Sequence, residues 1–174
     1  LGADLSPDKP VMFVSEFMAG GDLERYYMKQ RQVLQRNYRP AKAQLMRWAS
    51  AIARALSFLH GRAIPIIHRD LKPMNLLLTA PPRLDLKISD FGISKMVVGG
   101  STAIRDGYVM TGGVGSWLYM APEVVRYQQY CEKVDIYSFG LILFFMSSGK
   151  DPFHEVGADP ELVLKQYIKG LEPR

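Results

Sequence analysis

One stretch of the chain crowds charged and amide side chains together: His68-Arg69-Asp70-Leu71-Lys72-Pro73-Met74-Asn75. Fifteen residues beyond Asn75 comes Asp90-Phe91-Gly92, and further on Ala121-Pro122-Glu123. A carboxylate held near a hydroxyl accepts or orients its proton. A carboxylate and an amide oxygen are hard ligands of the kind magnesium takes while keeping several waters. A nearby cation stabilises charge that develops in a transition state. Asp and Asn also shape turns without doing any chemistry. Each short motif is therefore weak alone, and the order and intervals of all three carry the signal.

Such a loop must be positioned by elements on both sides. Residues 11–17 (VMFVSEF) are apolar and partly β-branched, and read as a buried strand. Gly20-Gly21 breaks the chain, and Asp22 can cap a helix from Leu23 to about Gln30. Residues 31–40 read as a basic connection. Leu45, Trp48, Ala49, Ile52, Ala53, Leu56 and Leu59 recur at spacings of three and four, which predicts an amphipathic helix over about 41–60. Short strands are expected near 64–67, 76–79 and 84–89, with a turn at Pro81-Pro82. Residues 92–115 hold seven glycines and no periodicity, and read as a long loop. Pro122 opens a short helix. Residues 134–148 are nearly all apolar, so that helix should be buried all round and stop at Gly149. A last short helix is expected over 161–169. The fold class is α+β, mainly helical.

At 174 residues the chain suits one domain. Its longest apolar run, 141–146, is far below the ~18 residues of a membrane span, and the first ten residues are mixed and polar, unlike a secretory leader. A single cysteine, Cys131, excludes an internal disulfide and suits a reducing, cytoplasmic setting. The net charge of +5 is uneven. Residues 25–69 hold ten Lys/Arg and no Asp or Glu, against 12 basic and 17 acidic residues elsewhere. No aromatic stacking platform accompanies the basic run, so it reads as a solvated helix face and a basic loop, not a specific nucleic-acid site.

Taken together, the three motifs resemble the eukaryotic protein kinase family. The resemblance implies a protein-kinase-like C-lobe with a remnant of the N-lobe β-sheet: strands and hinge over 1–21, and an incomplete C-lobe over 22–174. It implies ATP and Mg2+ as cofactors and protein as substrate. Asp70 would be the catalytic base and Lys72 the cation at the transferring phosphate. Asn75 and Asp90 would contact the metal. Backbone groups of Glu16 and Met18 would bind adenine, Asp22 the ribose, and Leu77 would form the apolar floor. Ser15 falls at the gatekeeper position. Lys72 and the segment 115–120 resemble the serine/threonine class, and Val134-Asp135-Ile136-Tyr137-Ser138-Phe139-Gly140 its tyrosine-kinase-like branch. Asp135 would hold the catalytic-loop backbone. Arg69 would meet a phosphorylated activation-loop residue, with Ser101, Thr102 and Thr111 as candidates, placed there by an upstream kinase or by the protein itself. Ser116 would shape the substrate groove.

The resemblance begins at the family's fourth strand and stops near its helix G. The Gly-rich phosphate loop, the strand lysine and its glutamate partner have no counterpart in this sequence. The arginine that pairs with the residue matching Glu123 has none either. The expectation is therefore a fragment with unpaired strand edges, marginally stable and of doubtful activity by itself. The alternative is a non-catalytic, truncated or decayed module that scaffolds partners.

Overall fold

A computed structural model of the chain describes residues 2–4, 6, 8, 10, 12–92, 94–96, 116–154, 162, 165, 166 and 169. Helix α1 (Leu23–Leu34) begins where Asp22 accepts the Arg25 N–H at 2.8 Å. Helix α2 (Lys42–His60) buries Trp48, Ile52, Leu56 and Leu59, the stripe set by its three-and-four spacing. Helix α4 (Lys133–Ser148) brings Ile142, Phe145 and Met146 to the same core, with Leu23 and Tyr27 of α1. Each fully buried side chain of this size stabilises the fold by about 1.5–3 kcal/mol. The Tyr27 hydroxyl donates to Met146 O at 2.8 Å inside that core, and burial drives its pKa far above the ordinary phenol value.

Among the described residues, the strands form three small antiparallel sheets. Strand β1 (Gly2–Asp4) pairs with β2 (Met12–Val14), placing Ala3 opposite Phe13. Strand β3 (Gly21–Asp22) pairs with β5 (Leu76–Leu78), which pairs with β6 (Leu86–Ile88). Strand β4 (Ile66–Ile67) pairs with β7 (Lys95–Met96). The short helix α3 (Pro122–Val125) opens on Pro122, whose missing N–H is one that a first turn leaves unbonded anyway. Ile67, Met120, Val124, Val125 and Val134 close a second core cluster beneath it.

Several elements depart from the sequence reading. The strand within 11–17 is only three residues long and is exposed, with Met12 at 53% and Val14 at 68%. Apolar composition predicts burial only where something covers the strand, and among the described residues β2 pairs with no strand but β1. Helix α1 runs four residues past Gln30, because Arg31 is anchored on Gly149 O far along the chain. Residues 95–96, inside the expected loop, form β7. Helix α4 is not buried all round: Ile136 and Phe144 are 46% and 39% exposed, and Phe144 stacks on His154. Of the last expected helix, Leu162, Lys165, Gln166 and Lys169 are described; the first three are helical and Lys169 lies in a turn.

Part of the basic run is used in this architecture. The guanidiniums of Arg31 and Arg39 donate to Gly149 O and Ser148 O, at 2.5 and 3.3 Å. Cations there complement the negative end of α4 and satisfy carbonyls its last turn leaves open.

Candidate active site

The loop 68–75 lies between β4 and β5, and Asp135 of α4 holds its backbone. The His68 N–H donates to Asp135 Oδ2 and the Arg69 N–H to Oδ1, both at 2.9 Å. His60, the last residue of α2, adds a third contact from Nε2 to Oδ2 at 2.8 Å. Asp135 is 1% exposed. A buried carboxylate is tolerable here because three donors replace its water.

His68 is fully buried and links the loop to the second motif. Its Nδ1 accepts the Asp70 N–H at 3.3 Å, which assigns the ring hydrogen to Nε2 and makes that atom the donor to Ser89 O at 2.9 Å. The Phe91 ring meets the imidazole edge-on, 4.9 Å between centres. Neither His68 nor His60 has a role readable from spacing. The available signal was a histidine inside the motif and one ending an amphipathic helix. Arg69 and Asp90 both adopt left-handed backbone, at φ 69 and 62. Non-glycine residues hold that conformation at a cost of about 1–3 kcal/mol, where the surroundings enforce it.

Asp70 is the centre of the polar set. Its Oδ2 accepts from Lys72 Nζ at 2.8 Å and from Asn75 Nδ2 at 3.0 Å, and Asn75 Nδ2 also reaches Asp70 O at 2.8 Å. Lys72 and Asn75 are each 7% exposed. Because both donors take Oδ2, the oxygen left for an incoming hydroxyl is Oδ1. Asn75 is fixed from behind as well: its carbonyl accepts the Ser89 N–H at 2.9 Å and the Ser89 hydroxyl at 3.0 Å. That pair ties the loop to the start of Asp90-Phe91-Gly92. Asp90 itself is exposed, and its Oδ1 accepts the Gly92 N–H at 3.2 Å.

The residues read as nucleotide-binding converge in part. Asp22 stands opposite Leu77 in the β3–β5 register, and Leu77 is half-buried. The Asp22 carboxylate caps α1 and pairs with Arg25 Nε at 3.3 Å. Met18 O accepts the Gly21 N–H at 3.0 Å, closing a tight turn. The Glu16 side chain meets Lys87 Nζ of β6 at 2.5 Å. Gly20 makes the close approach possible: its N–H donates to Leu78 O at 2.9 Å, and a Cβ there would lie 2.5 Å from Thr79 O. Gly20→Ala is therefore expected to destabilise the fold by about 1–3 kcal/mol, since backbone rather than a side chain must move. Denaturant unfolding measures it.

Arg69 donates to the Tyr130 hydroxyl at 3.1 Å. Ser101, Thr102 and Thr111 lie outside the described residues, as does the Ser116 side chain.

Glu24, in the first turn of α1, stands in an acidic neighbourhood. Burial, then Asp22 and Asp151, push its carboxyl above the ordinary value, with Lys72 opposing them. The folded state therefore holds this proton more tightly than the unfolded chain. The resulting penalty is absent below the ordinary glutamate value of about 4.3 and grows as pH rises through the raised one. Glu24→Gln is expected to raise the melting temperature at neutral pH. That gain should vanish in acid, as thermal scans across pH will read.

The donor types of Asn75 and Asp90 suit a magnesium ion. With Asn75 Nδ2 bonded to Asp70, the amide oxygen is the atom that Asn75 offers a cation, and Asp90 adds a carboxylate. Among the described residues no group of three or more His, Cys, Asp or Glu side chains converges. One carboxylate and one amide oxygen suit an ion that keeps waters and takes phosphate oxygens as its other ligands.

The Asp70 carboxylate is thus bonded to a lysine two residues on and an asparagine five residues on, and the loop is coupled through Ser89 to the Asp-Phe-Gly turn. The profile of the protein kinase domain matches residues 5–170, and the chain belongs to the protein kinase family, a family of enzymes. It is 42% identical over 173 residues to serine/threonine-protein kinase VIK of Arabidopsis thaliana, covering 99% of this chain and 37% of that protein. It is 38% identical to serine/threonine-protein kinase 12 of the same plant, over 89% of this chain and 31% of the relative. It is 37% identical to mitogen-activated protein kinase kinase kinase 7 of Drosophila melanogaster, over 92% and 21%. The chain thus spans roughly a third or less of the length of these relatives. No helix among the described residues is long and apolar enough to cross a membrane.

Proposed function

We propose that the chain carries the catalytic centre of a serine/threonine protein kinase, which moves the terminal phosphoryl group of ATP to serine or threonine hydroxyls of protein substrates. The observation that carries this reading is the hydrogen-bonded set Asp70, Lys72 and Asn75, seated on a loop whose backbone Asp135 holds. Asp70 orients the substrate hydroxyl and accepts its proton through Oδ1. Lys72 keeps Asp70 in place and sets positive charge where the transferred group passes. Asn75 and Asp90 would hold Mg2+, which when bound neutralises phosphate charge. Backbone groups of Glu16 and Met18 would take adenine, Asp22 the ribose, and Leu77 the base from below. Residues 1–21 then supply the strands and hinge of the N-lobe, and 22–174 the C-lobe. Arg69 would receive a phosphate on Ser101, Thr102 or Thr111, added by an upstream kinase or by the protein itself. Ser116 would border the substrate groove, and the setting would be cytoplasmic.

The test is direct. The protein containing this chain, given Mg-ATP and a generic serine/threonine substrate, is expected to yield phosphoserine or phosphothreonine and no phosphotyrosine. Nucleotide binding without transfer would support a non-catalytic binding module instead.

A further inference from the structure

The acid-free basic run divides once its residues are placed. Arg25 pairs with Asp22, Arg31 and Arg39 close the end of α4, and Arg69 serves the catalytic loop. Of the six that remain, Lys29, Arg36, Lys42, Arg47, Arg54 and Arg62, only Arg47 and Arg54 line a cavity. They lie seven residues apart on one face of α2, about 10 Å along the axis. Both are exposed, and Arg54 makes no ion pair among the described residues. Arg47 donates only to neutral acceptors, Gln44 Oε1 and Arg83 O.

These arginines border a cavity of about 540 Å³ between α2 and the turn joining β5 to β6, away from the catalytic loop. Met46, Ala51 and Leu84 give it an apolar floor, and Arg83 faces the helix from the turn. The walls are built rather than loose. Trp48 Nε1 donates to Leu84 O at 2.7 Å, and the Asp85 N–H donates to Thr79 Oγ1 at 2.9 Å. Asp85 offsets Arg83 at 3.0 Å, which leaves the charges of Arg47 and Arg54 unopposed.

We propose that this groove docks an acidic linear segment of a partner protein. An extended peptide advances about 3.3 Å per residue, so carboxylates three positions apart match the spacing of Arg47 and Arg54. An apolar side chain between them would reach the floor. Nucleic acid fits less well: stacking needs an exposed aromatic face, and Trp48 is 1% exposed with its N–H already bonded. The inference does not depend on catalysis by Asp70.

The probe is a fluorescein-labelled eight-residue peptide with two glutamates three positions apart around a leucine, titrated by anisotropy against the full chain. Binding is expected to weaken at least ten-fold in Arg47→Glu/Arg54→Glu. It should weaken similarly in Ala51→Trp, which fills the floor and leaves the charge unchanged. Arg36→Glu/Arg62→Glu, the same charge change elsewhere in the run, should leave it intact. Arg54→Glu alone reads the same loss should the double variant misfold. The proposal is overturned by no binding to the native chain, by an equal loss in Arg36→Glu/Arg62→Glu, or by undiminished binding in both groove variants. Tighter binding of a single-stranded oligonucleotide than of the peptide also overturns it.

Discussion

Asp70→Asn is expected to lower kcat for phosphoryl transfer by about 10²–10⁴-fold, the usual worth of a positioned acid or base. The amide keeps the shape of the carboxylate, and its oxygen can still accept from Lys72 and Asn75, which now share Asp70 Oδ2. The atom replacing Oδ1 becomes an NH2 group, which donates and cannot take a hydroxyl proton. Lys72, only 7% exposed, loses the negative charge of the carboxylate it meets at 2.8 Å. A stability loss of about 1–3 kcal/mol should accompany the change, the range for a weakened buried hydrogen bond. The KM for ATP should hardly move, because the proposed nucleotide contacts are Glu16, Met18, Asp22 and Leu77 and the proposed role of Asp70 is toward the substrate hydroxyl. A kcat loss at constant KM marks an interaction made only in the transition state. Activity within ten-fold of the native protein, in a variant that still unfolds cooperatively, would remove Asp70 from the role of base.

Much of the helical frame was legible because its signals are local. Leu45, Trp48, Ile52, Leu56 and Leu59 recur at helical spacing, and all but half-buried Leu45 are buried. Asp22 caps α1 as its residue type allows. The loop 68–75 came together for another reason: residues from Asp70 to Asn75 are close in sequence, so their mutual bonds need no long-range contact. The rest depends on distant partners. Arg31 extends α1 by reaching across 118 residues to Gly149 O, and no periodicity reports that. Residues 95–96 become a strand only because Ile66 and Ile67 lie beside them. Residues 11–17 read as buried because composition records apolarity and not cover. The contact of His60 with Asp135 joins positions 75 residues apart, in elements whose own patterns are complete without it.

That contact belongs to the second large effect. Asp135→Ala is expected to cost about 3–5 kcal/mol, the loss seen when one partner of a buried charged network is removed. The His68 and Arg69 N–H groups would be left without an acceptor, and each unsatisfied buried group costs about 1–3 kcal/mol. Against a total stability of about 5–15 kcal/mol for a domain, this is a large fraction. Asp135→Asn should recover little. One oxygen of the carboxylate now serves His68 N–H and His60 and the other serves Arg69 N–H, so an amide NH2 would confront a donor whichever way it turned. His60→Phe removes one contact and leaves both backbone bonds, so it should cost less and spare the loop. The Asp135 variants should also lose catalysis beyond their loss of stability, because Arg69 stands in left-handed backbone with its N–H bonded to Asp135 Oδ1, and removing that bond takes away one restraint on the strained conformation. Urea unfolding of the single and double His60 and Asp135 variants gives the coupling between them, and kcat measured well below the melting temperature separates loop distortion from unfolding. Asp135→Ala within 1 kcal/mol of the native protein would mean that the loop holds its shape without α4.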